Sequence, residues 1–225
     1  MKKKVVIFTG AGISAESGIQ TFRDGDGLWN QFRIEEVATP QAWYSNPSLV
    51  LQFYNERRRN IRDAKPNNAH LEIAKLEDVF DIEIITQNID DLHERAGSSN
   101  VLHLHGEIFK MKSEVNPELI SPIHEDMHIG DRAEDGAQQR PHIVWFGEEV
   151  PMMEPAIQTA MKADVFIVIG SSLVVYPAAS LIHYVPSHAE VIVIDTRLPE
   201  VNRRHVTYIE KPATEGVAQL RRLLL

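Results

Sequence analysis

Short runs of apolar, mostly β-branched residues recur along the chain and alternate with segments of helical periodicity. These runs lack the polar alternation of strands with one face in water, so they are typical of parallel strands covered on both faces. Strands alternating with helices predict an α/β fold with a doubly wound parallel sheet. The predicted strands are Val5–Phe8, Ile82–Ile85, Val101–Leu104, Val165–Ile169 and Val191–Ile194, and the predicted helices are residues 47–63, 68–77, 91–96, 152–161, 176–184 and 215–224.

Residues 111–139 depart from this alternation. The segment is rich in acidic residues, contains Pro117, Pro122, Gly130 and Gly136, and has no clear period. We interpret it as a small inserted module or a long loop, after which a strand returns at Pro141–Trp145. The expected units are a Rossmann-like domain (residues 1–30, 80–110 and 140–225), a helical insert (31–79) and the small module (111–139).

Charge and composition restrict the classes of function. The net charge is −9 and the chain contains no cysteine. The negative charge argues against nonspecific nucleic-acid binding and weakly favours basic partners such as lysine-rich peptides. Without cysteine there can be no disulfide, thiolate metal site or cysteine nucleophile. No stretch reaches the ~18 apolar residues of a membrane span, and the basic N-terminus lacks the apolar core of a signal peptide. We expect a soluble cytoplasmic protein without nucleic-acid or membrane partners; the oligomeric state is left open.

A glycine turn follows the first predicted strand. Gly10 and Gly12 allow a tight turn and the close approach of a ligand, and the backbone N–H groups of a helix start suit a pyrophosphate. The spacing differs from G-x-G-x-x-G, because the next glycine is Gly18, so a plain strand–helix turn is the alternative interpretation. The following stretch, with Phe22, Arg23 and a glycine-rich segment up to Trp29, could close over a charged ligand and exclude water.

Polar side chains follow three further strands at the same edge of the sheet. In the segment Thr86–Asp90, amide and carboxyl groups could hold a carboxamide, although Asn88 or Asp90 could instead cap the next helix. His105 ends the third strand next to a glycine and could accept a proton from a sugar hydroxyl, the alternative being a hydrogen-bonded core histidine. His103 shares a face with His105 but does not lie at the strand end. The segment Gly170-Ser171-Ser172 follows the fourth strand.

Two other patterns are less specific. The segments Pro141–Glu148 and Leu173–Pro177 could flank a groove that accepts an extended peptide, or they could be ordinary core strands. His124 and His128 have H-x-x-x-H spacing, but we interpret this acidic stretch as a solvated loop and assign no metal site to it.

Taken in order, these strings resemble the sirtuin family of NAD-dependent protein lysine deacylases. The similarity covers nearly the whole chain except residues 111–139, and several motifs occur in the order that the family has. The matching strings are Gly10–Ile19 with Phe22 and Arg23, Thr86–Asp90, Leu104–Gly106, Trp145–Glu148 and Gly170–Ala178.

The resemblance implies a role for each matching position. His105 would be the general base, and Asn88 and Asp90 would share the catalytic work. The residues implied to bind NAD are Gly10, Ala11, Gly12, Ser14, Phe22, Arg23, Trp29, Gln87, Asn88, Ile89, Asp90, Gly170, Ser171, Ser172, Asp195 and Ala213. The residues implied to bind the peptide are Val144, Phe146, Gly147 and Val174. The family usually has asparagine where Asp195 stands; a carboxylate there would repel a 2′-phosphate, so NAD is expected rather than NADP.

The activity that the resemblance implies is removal of acyl groups from lysine with consumption of NAD. The products would be nicotinamide and O-acyl-ADP-ribose. An ADP-ribosyltransferase or an NAD hydrolase on the same fold is the alternative, and a non-catalytic NAD-binding module is a third. Incubation with NAD, with and without acylated peptide, would separate the first two.

Two features indicate a particular branch of the family. Tyr54 and Arg57 match the pair that reads a terminal carboxylate in the bacterial class III, desuccinylase- and demalonylase-like branch; the alternative is a basic surface of an amphipathic helix. Most sirtuins bind a structural zinc through cysteines in the small module, and Ser113 stands about where the first would be. We therefore expect no thiolate zinc, and a module held by apolar contacts of Val115, Leu119, Ile120, Ile123 and Met127.

Overall fold

The computed structural model describes residues 2–21 and 32–225, so Phe22, Arg23 and Trp29 lie outside the described residues. Its main feature is a six-stranded sheet with the order β3-β2-β1-β7-β8-β9, in which every neighbouring pair is parallel. The strands are β1 (Lys4–Thr9), β2 (Asp81–Thr86), β3 (Val101–His103), β7 (Val165–Ile169), β8 (Glu190–Asp195) and β9 (Val206–Glu210).

The apolar runs form these strands because both faces of the sheet are covered. Val5 and Ile7 of β1 belong to one buried cluster, whereas Val6 and Phe8 belong to another on the opposite face. Successive side chains of a strand point to opposite faces, so a strand buried on both sides is apolar at every position. The predicted fold class, a doubly wound parallel sheet, is confirmed.

Helices cover both faces of the sheet. One cluster includes residues of α5 (Asn68–Leu76), α8 (Ala213–Val217) and α9 (Leu220–Leu224). The other includes residues of α7 (Met153–Ala160) and of a 3-10 helix, Ala178–His183. The structure corrects two helix predictions here, since residues 176–184 form only this 3-10 helix and residues 215–224 belong to two short helices.

The strand order reverses at β1. From β1 the chain adds β2 and then β3 on one side, and it returns to place β7 on the other side of β1. In open α/β sheets, ligands bind outside the carboxyl ends of the strands at such a reversal. The polar segments after β1, β2 and β7 therefore meet at the favoured place for a ligand.

A helical segment precedes β2. It contains α2 (Ile34–Val37), α3 (Pro40–Ser45) and the long α4 (Pro47–Asp63). Helix α4 has the predicted bounds because Asn46 accepts a hydrogen bond from the N–H of Leu49 at 3.2 Å, with proline in the first turn. Its apolar face packs in a third buried cluster together with residues of the small sheet.

The small sheet is antiparallel with the order β5-β4-β6. Its strands are β4 (Gly106–Ser113), β5 (Ile120–Pro122) and β6 (Gln139–Ile143). The returning strand thus ends at Ile143 rather than at Trp145 as predicted. The division of the chain into three units stays a prediction.

Polar contacts add to the apolar cluster that joins α4 to the small sheet and its loops. Asn55 donates to the carbonyl oxygen of Met127 at 2.8 Å and accepts from the Met127 N–H at 2.9 Å. The buried Arg58 donates through Nε to the carbonyl oxygen of Ile108 at 3.0 Å. The expectation of apolar contacts is wrong for Val115 and Ile120, which are 69% and 46% exposed. So short a segment has too few apolar residues to enclose a core of its own.

Helix α6 (Leu92–Ala96) follows β2, and α1 (Gly12–Ala15) follows β1 with only four residues. The helix start that was predicted to suit a pyrophosphate is therefore only about one turn long, so its macrodipole is weak. In the described ranges, no helix combines the length and apolar character that a bilayer crossing needs.

Candidate active site

Hydrogen bonds between strand ends bring the predicted site segments together. Gln87, after β2, donates through Nε2 to Oγ of Ser171, after β7, at 2.8 Å. Asn88 donates through Nδ2 to the carbonyl oxygen of Gly10 at 3.2 Å and to Oγ of Ser14 at 3.2 Å. The segments 10–14, 87–90 and 170–172 therefore form one cluster at the carboxyl edge of the sheet.

The glycines after β1 pack against the turn that follows β7. A Cβ atom on Gly10 would lie 2.7 Å from the carbonyl oxygen of Gly170, and one on Gly12 would lie 2.6 Å from its Cα. Gly170 itself has a φ of +61°. These contacts add a second reason for glycine at both positions, because the protein's own backbone also approaches closely there.

Ser14 connects Asn88 with Asp90. The Ser14 hydroxyl accepts from Asn88 and donates to Oδ2 of Asp90 at 3.0 Å, while Oδ1 of Asp90 accepts from the N–H of Leu92 at 3.1 Å. Asp90 thus also accepts from the first residue of α6, but the capping alternative is met only in part, because the N-cap residue itself is Asp91. Burial raises the pKa of Asp90, and these two hydrogen bonds oppose the rise. Within the described part of the chain, Oδ1 of Asn88 has no hydrogen-bond partner.

His105 carries its ring proton on Nδ1. Nδ1 lies 3.1 Å from the carbonyl oxygen of Gln87, which can only accept, so Nδ1 must donate. Burial lowers the pKa of His105, and the bond to Gln87 only partly compensates. The imidazole is therefore neutral near pH 7, and Nε2 presents a lone pair that no group in the described ranges occupies. Such a nitrogen can accept a proton.

The backbone of His105 joins the two sheets. Its neighbour Leu104 donates to the carbonyl oxygen of Thr86 at 2.9 Å, and its own carbonyl oxygen accepts from the N–H of Val144 at 3.0 Å. Gly106 then turns the chain with a φ of +83°, and a Cβ atom there would overlap the carbonyl oxygen of His142. The position of the imidazole is thus determined by both sheets.

Tyr54 and Arg57 lie one turn apart on α4. The buried Tyr54 hydroxyl accepts from Nε1 of Trp145 at 3.0 Å, so its own proton is left for another acceptor. Burial raises the pKa of Tyr54 to about 12, which keeps the phenol neutral. Arg57 is part-buried; burial lowers its pKa, and interactions with Tyr54 and Asp90 act in the opposite direction.

The ring of Trp145 is itself fixed by charged neighbours. The Arg140 guanidinium lies 3.3 Å from the centroid of the Trp145 ring and donates to both carboxylate oxygens of Glu148, at 2.7 and 3.1 Å. Glu148 in turn accepts from the N–H of Trp145 at 2.8 Å. Sequence reasoning missed Arg140, and a single arginine just before the predicted strand gives no signal of this arrangement.

The predicted peptide-binding residues lie on irregular segments rather than strands. Val144, Phe146 and Gly147 follow the end of β6, and Val174 follows the glycine–serine turn after β7. The side chains of Phe146 and Val174 are exposed. The structure therefore corrects the prediction of a strand at residues 173–177.

Two more of the predicted NAD-binding residues lie further along the same edge. Asp195 ends β8, where Oδ1 accepts from the N–H of Arg197 at 2.9 Å, and Ala213 is buried at the start of α8. Ala11, Ile89 and Ser172 belong to the segments already described. Away from this edge, the ring of His124 lies against Phe109 with 5.8 Å between centroids.

Two threonines near the site were also missed. Thr9 donates to Oγ1 of Thr86 at 2.8 Å, and Thr86 accepts from the N–H of Asn88 at 3.0 Å. Both are buried and directly opposite in the register of β1 and β2. A threonine as the last residue of two neighbouring strands was a readable signal, since the pair can bond across the sheet.

Comparison with known proteins agrees with this geometry. The model of the Sir2 family matches residues 10–177. An NAD-dependent protein deacylase of Bacteroides thetaiotaomicron is 49% identical over 99% of this chain and 98% of the relative's own length. An NAD-dependent protein deacylase of Helicobacter pylori is 52% identical over 91% of this chain and 88% of the relative's own length.

Solved structures give the same result. A Sir2 homologue in complex with NAD superimposes with a TM-score of 0.87 at 39% identity, covering 100% of this chain and 91% of its own. A Sir2 protein with deacetylated p53 peptide and 3′-O-acetyl ADP-ribose superimposes with a TM-score of 0.85 at 32% identity. The match covers 99% of this chain and 94% of the solved chain. From its sequence, its parallel sheet and these relatives, this chain belongs to the Sir2 family.

Proposed function

We propose that this chain is an NAD-dependent protein lysine deacylase that releases nicotinamide and forms O-acyl-ADP-ribose. Family membership and the names of relatives at about half identity support the activity and the cofactor. The observation that carries the proposal is the neutral imidazole of His105, whose Nε2 is open beside the segment 87–90. Acyl-lysine proteins or peptides are the proposed partners.

The residues at the carboxyl edge suit NAD. A carboxamide needs both an acceptor and a donor, and the open Oδ1 of Asn88 beside the Ser14–Asp90 pair supplies acceptors for its N–H groups. At the other end, the carboxylate of Asp195 could accept from ribose hydroxyls. NAD, when bound, supplies a ribose carbon from which nicotinamide can leave.

His105 is the proposed general base. Its Nδ1–H stays on the carbonyl oxygen of Gln87, and Nε2 takes the proton of a ribose hydroxyl so that this oxygen can attack the acyl carbon. Asn88 and Asp90 orient the carboxamide, which fixes the direction from which the acyl oxygen approaches. Phe22, Arg23 and Trp29 stay predicted members of a closing loop.

The test is release of nicotinamide with and without an acylated peptide. A deacylase releases nicotinamide in proportion to peptide, whereas release without peptide would favour the NAD hydrolase alternative. His105→Ala should lower turnover by about 10²–10⁴-fold, the usual contribution of a general base, and leave the affinity for NAD within a few-fold. His128→Ala, which removes an exposed imidazole of the small module, is the matched control. Deacylation by His105→Ala at the rate of the control would overturn the assignment.

We further propose that acidic acyl groups, such as succinyl and malonyl, are substrates. The support is the face shared by Tyr54 and Arg57. Because the Tyr54 hydroxyl already accepts from Trp145, its own proton is available for donation, which suits a carboxylate. Of the three consecutive arginines, Arg57 is the one that lies one helical turn from Tyr54; Arg58 donates to a backbone carbonyl, and Arg59 pairs with Asp126.

Arg57→Met tests this preference. We expect at least a tenfold loss of kcat/KM for succinyl- and malonyl-lysine versions of one peptide, with little change for the acetyl version, because only the acidic groups need the guanidinium. Arg59→Met is the control, since it removes the same charge two residues away. Equal losses on all three peptides would contradict the role of Arg57 and leave the deacylase proposal intact.

We also propose that the small module works without the zinc of most sirtuins. Ser113, near the place of the first zinc cysteine, donates to Oδ2 of Asp135 at 2.6 Å and accepts from the N–H groups of Val115 and Asn116 at 3.2 and 3.1 Å. One side chain thus joins two loops of the module, which is what a shared metal ion would otherwise do. The cytoplasmic location stays a prediction.

A further inference from the structure

His103 has two hydrogen bonds that both require it to donate. Its side chain is only 8% exposed. Nδ1 lies 3.0 Å from the carbonyl oxygen of Asn88, and Nε2 lies 2.7 Å from Oε1 of Glu94 in α6. A carbonyl and an ionised carboxylate can only accept, and a neutral imidazole has a single N–H. Both contacts are satisfied together only when the ring is an imidazolium.

The charges around the ring favour that form. Burial lowers the pKa of His103, but the bonds to Glu94 and Asn88 and the charge of Glu107 outweigh it, so the pKa is raised overall. Burial likewise raises the pKa of Glu94, and the bond to His103 reverses this to a net lowering.

Charged and titratable groups reach His103 from each neighbouring element. Glu94 and the neutral His93 belong to α6, Asp90 belongs to the segment after β2, and Glu107 belongs to β4, where it pairs with Lys110 at 2.6 Å. The lowered pKa of His93 means that it adds no positive charge near pH 7. The acidic groups therefore dominate.

The imidazolium of His103 fixes the backbone of Asn88, a residue of the proposed active site. The N–H of Asn88 bonds to Thr86, its side-chain amide bonds to Gly10 and Ser14, and its carbonyl oxygen bonds to His103. Among the residues that the structure describes, no group bonds to Oδ1, the atom proposed to face the carboxamide. When His103 loses a proton, its one remaining N–H is better used on the carboxylate of Glu94 than on a neutral carbonyl. Asn88 then loses one of the bonds that fix its backbone.

We propose that His103, charged through Glu94, is a positioning residue that holds Asn88 for the reaction. The inference rests on the proposed function. His105 is a competent base above its lowered pKa, and His103 stays charged below its raised pKa, so two different histidines would set the two limbs of the pH profile. Loss of a proton from His105 would form the acid limb, and loss of a proton from His103 would contribute to the alkaline limb.

Glu94→Gln tests this arrangement. The amide oxygen that replaces the carboxylate can still accept from Nε2 of His103, but without a negative charge it no longer favours the imidazolium. We expect the alkaline limb of kcat/KM for NAD to move about one unit toward lower pH, with a rate lower by up to about tenfold between the two limbs. The acid limb and the KM for peptide should not move. Nitrogen chemical shifts of the His103 ring in the ligand-free protein should report the same displacement of its titration.

The matched control is Glu72→Gln. Glu72 pairs with Lys75 on the surface of α5 at 2.7 Å, so its replacement removes the same charge without touching His103. A wild-type enzyme that releases no nicotinamide at any pH would mean that the proposed function fails. An active wild type whose alkaline limb coincides with that of Glu94→Gln would overturn the positioning role, as would a His103 ring that titrates alike in both proteins.

Discussion

Gly106 directly follows His105 and turns the chain between the two sheets. It combines a φ of +83° with contact against the carbonyl oxygen of His142, so a side chain there meets both backbone strain and a steric overlap. Gly106→Ala should destabilise the protein by about 2–4 kcal/mol, the sum of the two effects, and should lower kcat by displacing the imidazole. Urea unfolding and steady-state deacylation would measure the two losses.

Gly136→Ala separates the two causes. Gly136 has nearly the same φ, +81°, but a Cβ atom there meets nothing within 4 Å. Its replacement should therefore show only the backbone strain, about 1 kcal/mol, and unchanged kcat. If both variants lose equal stability and keep full activity, the contact with His142 is not what requires glycine at position 106.

Three consecutive arginines show what a residue pattern can and cannot predict. The spacing from Tyr54 placed Arg57 on the same helical face, because residues three apart are neighbours. It could not reveal that Arg58 would be buried, with the carbonyl oxygen of Ile108 and Oδ1 of Asn55 as acceptors. Those acceptors come from the folded arrangement of α4 and β4. The role of Arg57 stays a prediction.

At the scale of elements, the small sheet depends on side chains that bridge its loops. Ser113→Ala removes the donor to Asp135 and the acceptor of two backbone N–H groups, so we expect a lower Tm, by several degrees, in thermal unfolding. The bond to Ser113 is also the main cause that lowers the pKa of Asp135. The stabilisation from this hydrogen bond is therefore present at neutral pH and is lost at low pH, where the Asp135 carboxylate becomes protonated.

Chelation provides the complementary test of the zinc-free module. Incubation with a strong zinc chelator should leave both the Tm and deacylase activity of the wild type unchanged, because side-chain hydrogen bonds join the loops. Ser121→Ala is a suitable control for Ser113→Ala, since it removes a part-buried hydroxyl from β5 of the same sheet. A chelator-dependent fall in Tm would contradict the proposal.

The elements differ in how well their sequences predict them. β1, β7 and β8 are buried on both faces, and their unbroken apolar runs were recognisable. β9 was missed because it is an edge strand in which Thr207 and Tyr208 are exposed, so its sequence lacks that run. The bounds of α4 were predicted because an Asn–Pro start and a proline soon after its end are local signals.

At the scale of the whole molecule, topology produced the site. Four separated segments were each ambiguous, and only the parallel sheet makes the strand ends that precede them coincide. This convergence could be predicted from alternation alone. The hydrogen bonds within the site could not, because they depend on rotamers and on register, as the pairing of His103 with Glu94 illustrates.

Buried neutral histidines make the stability of the whole molecule depend on pH. His70 is fully buried, accepts from the N–H of Asn67 through Nδ1, and lies against His93 with 4.9 Å between ring centroids. Burial lowers the pKa of His70 to about 4, and that of His93 falls well below its usual value. The unfolded chain therefore takes up these protons first as pH falls.

The sign follows from linkage. The pKa of His70 is lower in the folded protein than in the unfolded chain. The stabilisation that the neutral ring provides is therefore complete above about pH 6.5 and is lost as the pH falls toward the folded pKa. His70 alone should lower the free energy of unfolding by about 2 kcal/mol between pH 7 and pH 5. His103 has the opposite shift, so its pairing with Glu94 offsets part of the loss on the acid side.

His70→Gln isolates this contribution. At pH 8, where both proteins are neutral at this position, urea unfolding of the variant measures the change in packing. Between pH 7 and pH 5 its free energy of unfolding should then fall less steeply than that of the wild type, because one group that binds a proton only in the unfolded state is gone. Parallel slopes for the two proteins would mean that His70 is protonated in the folded state, and that its burial does not exclude the charge.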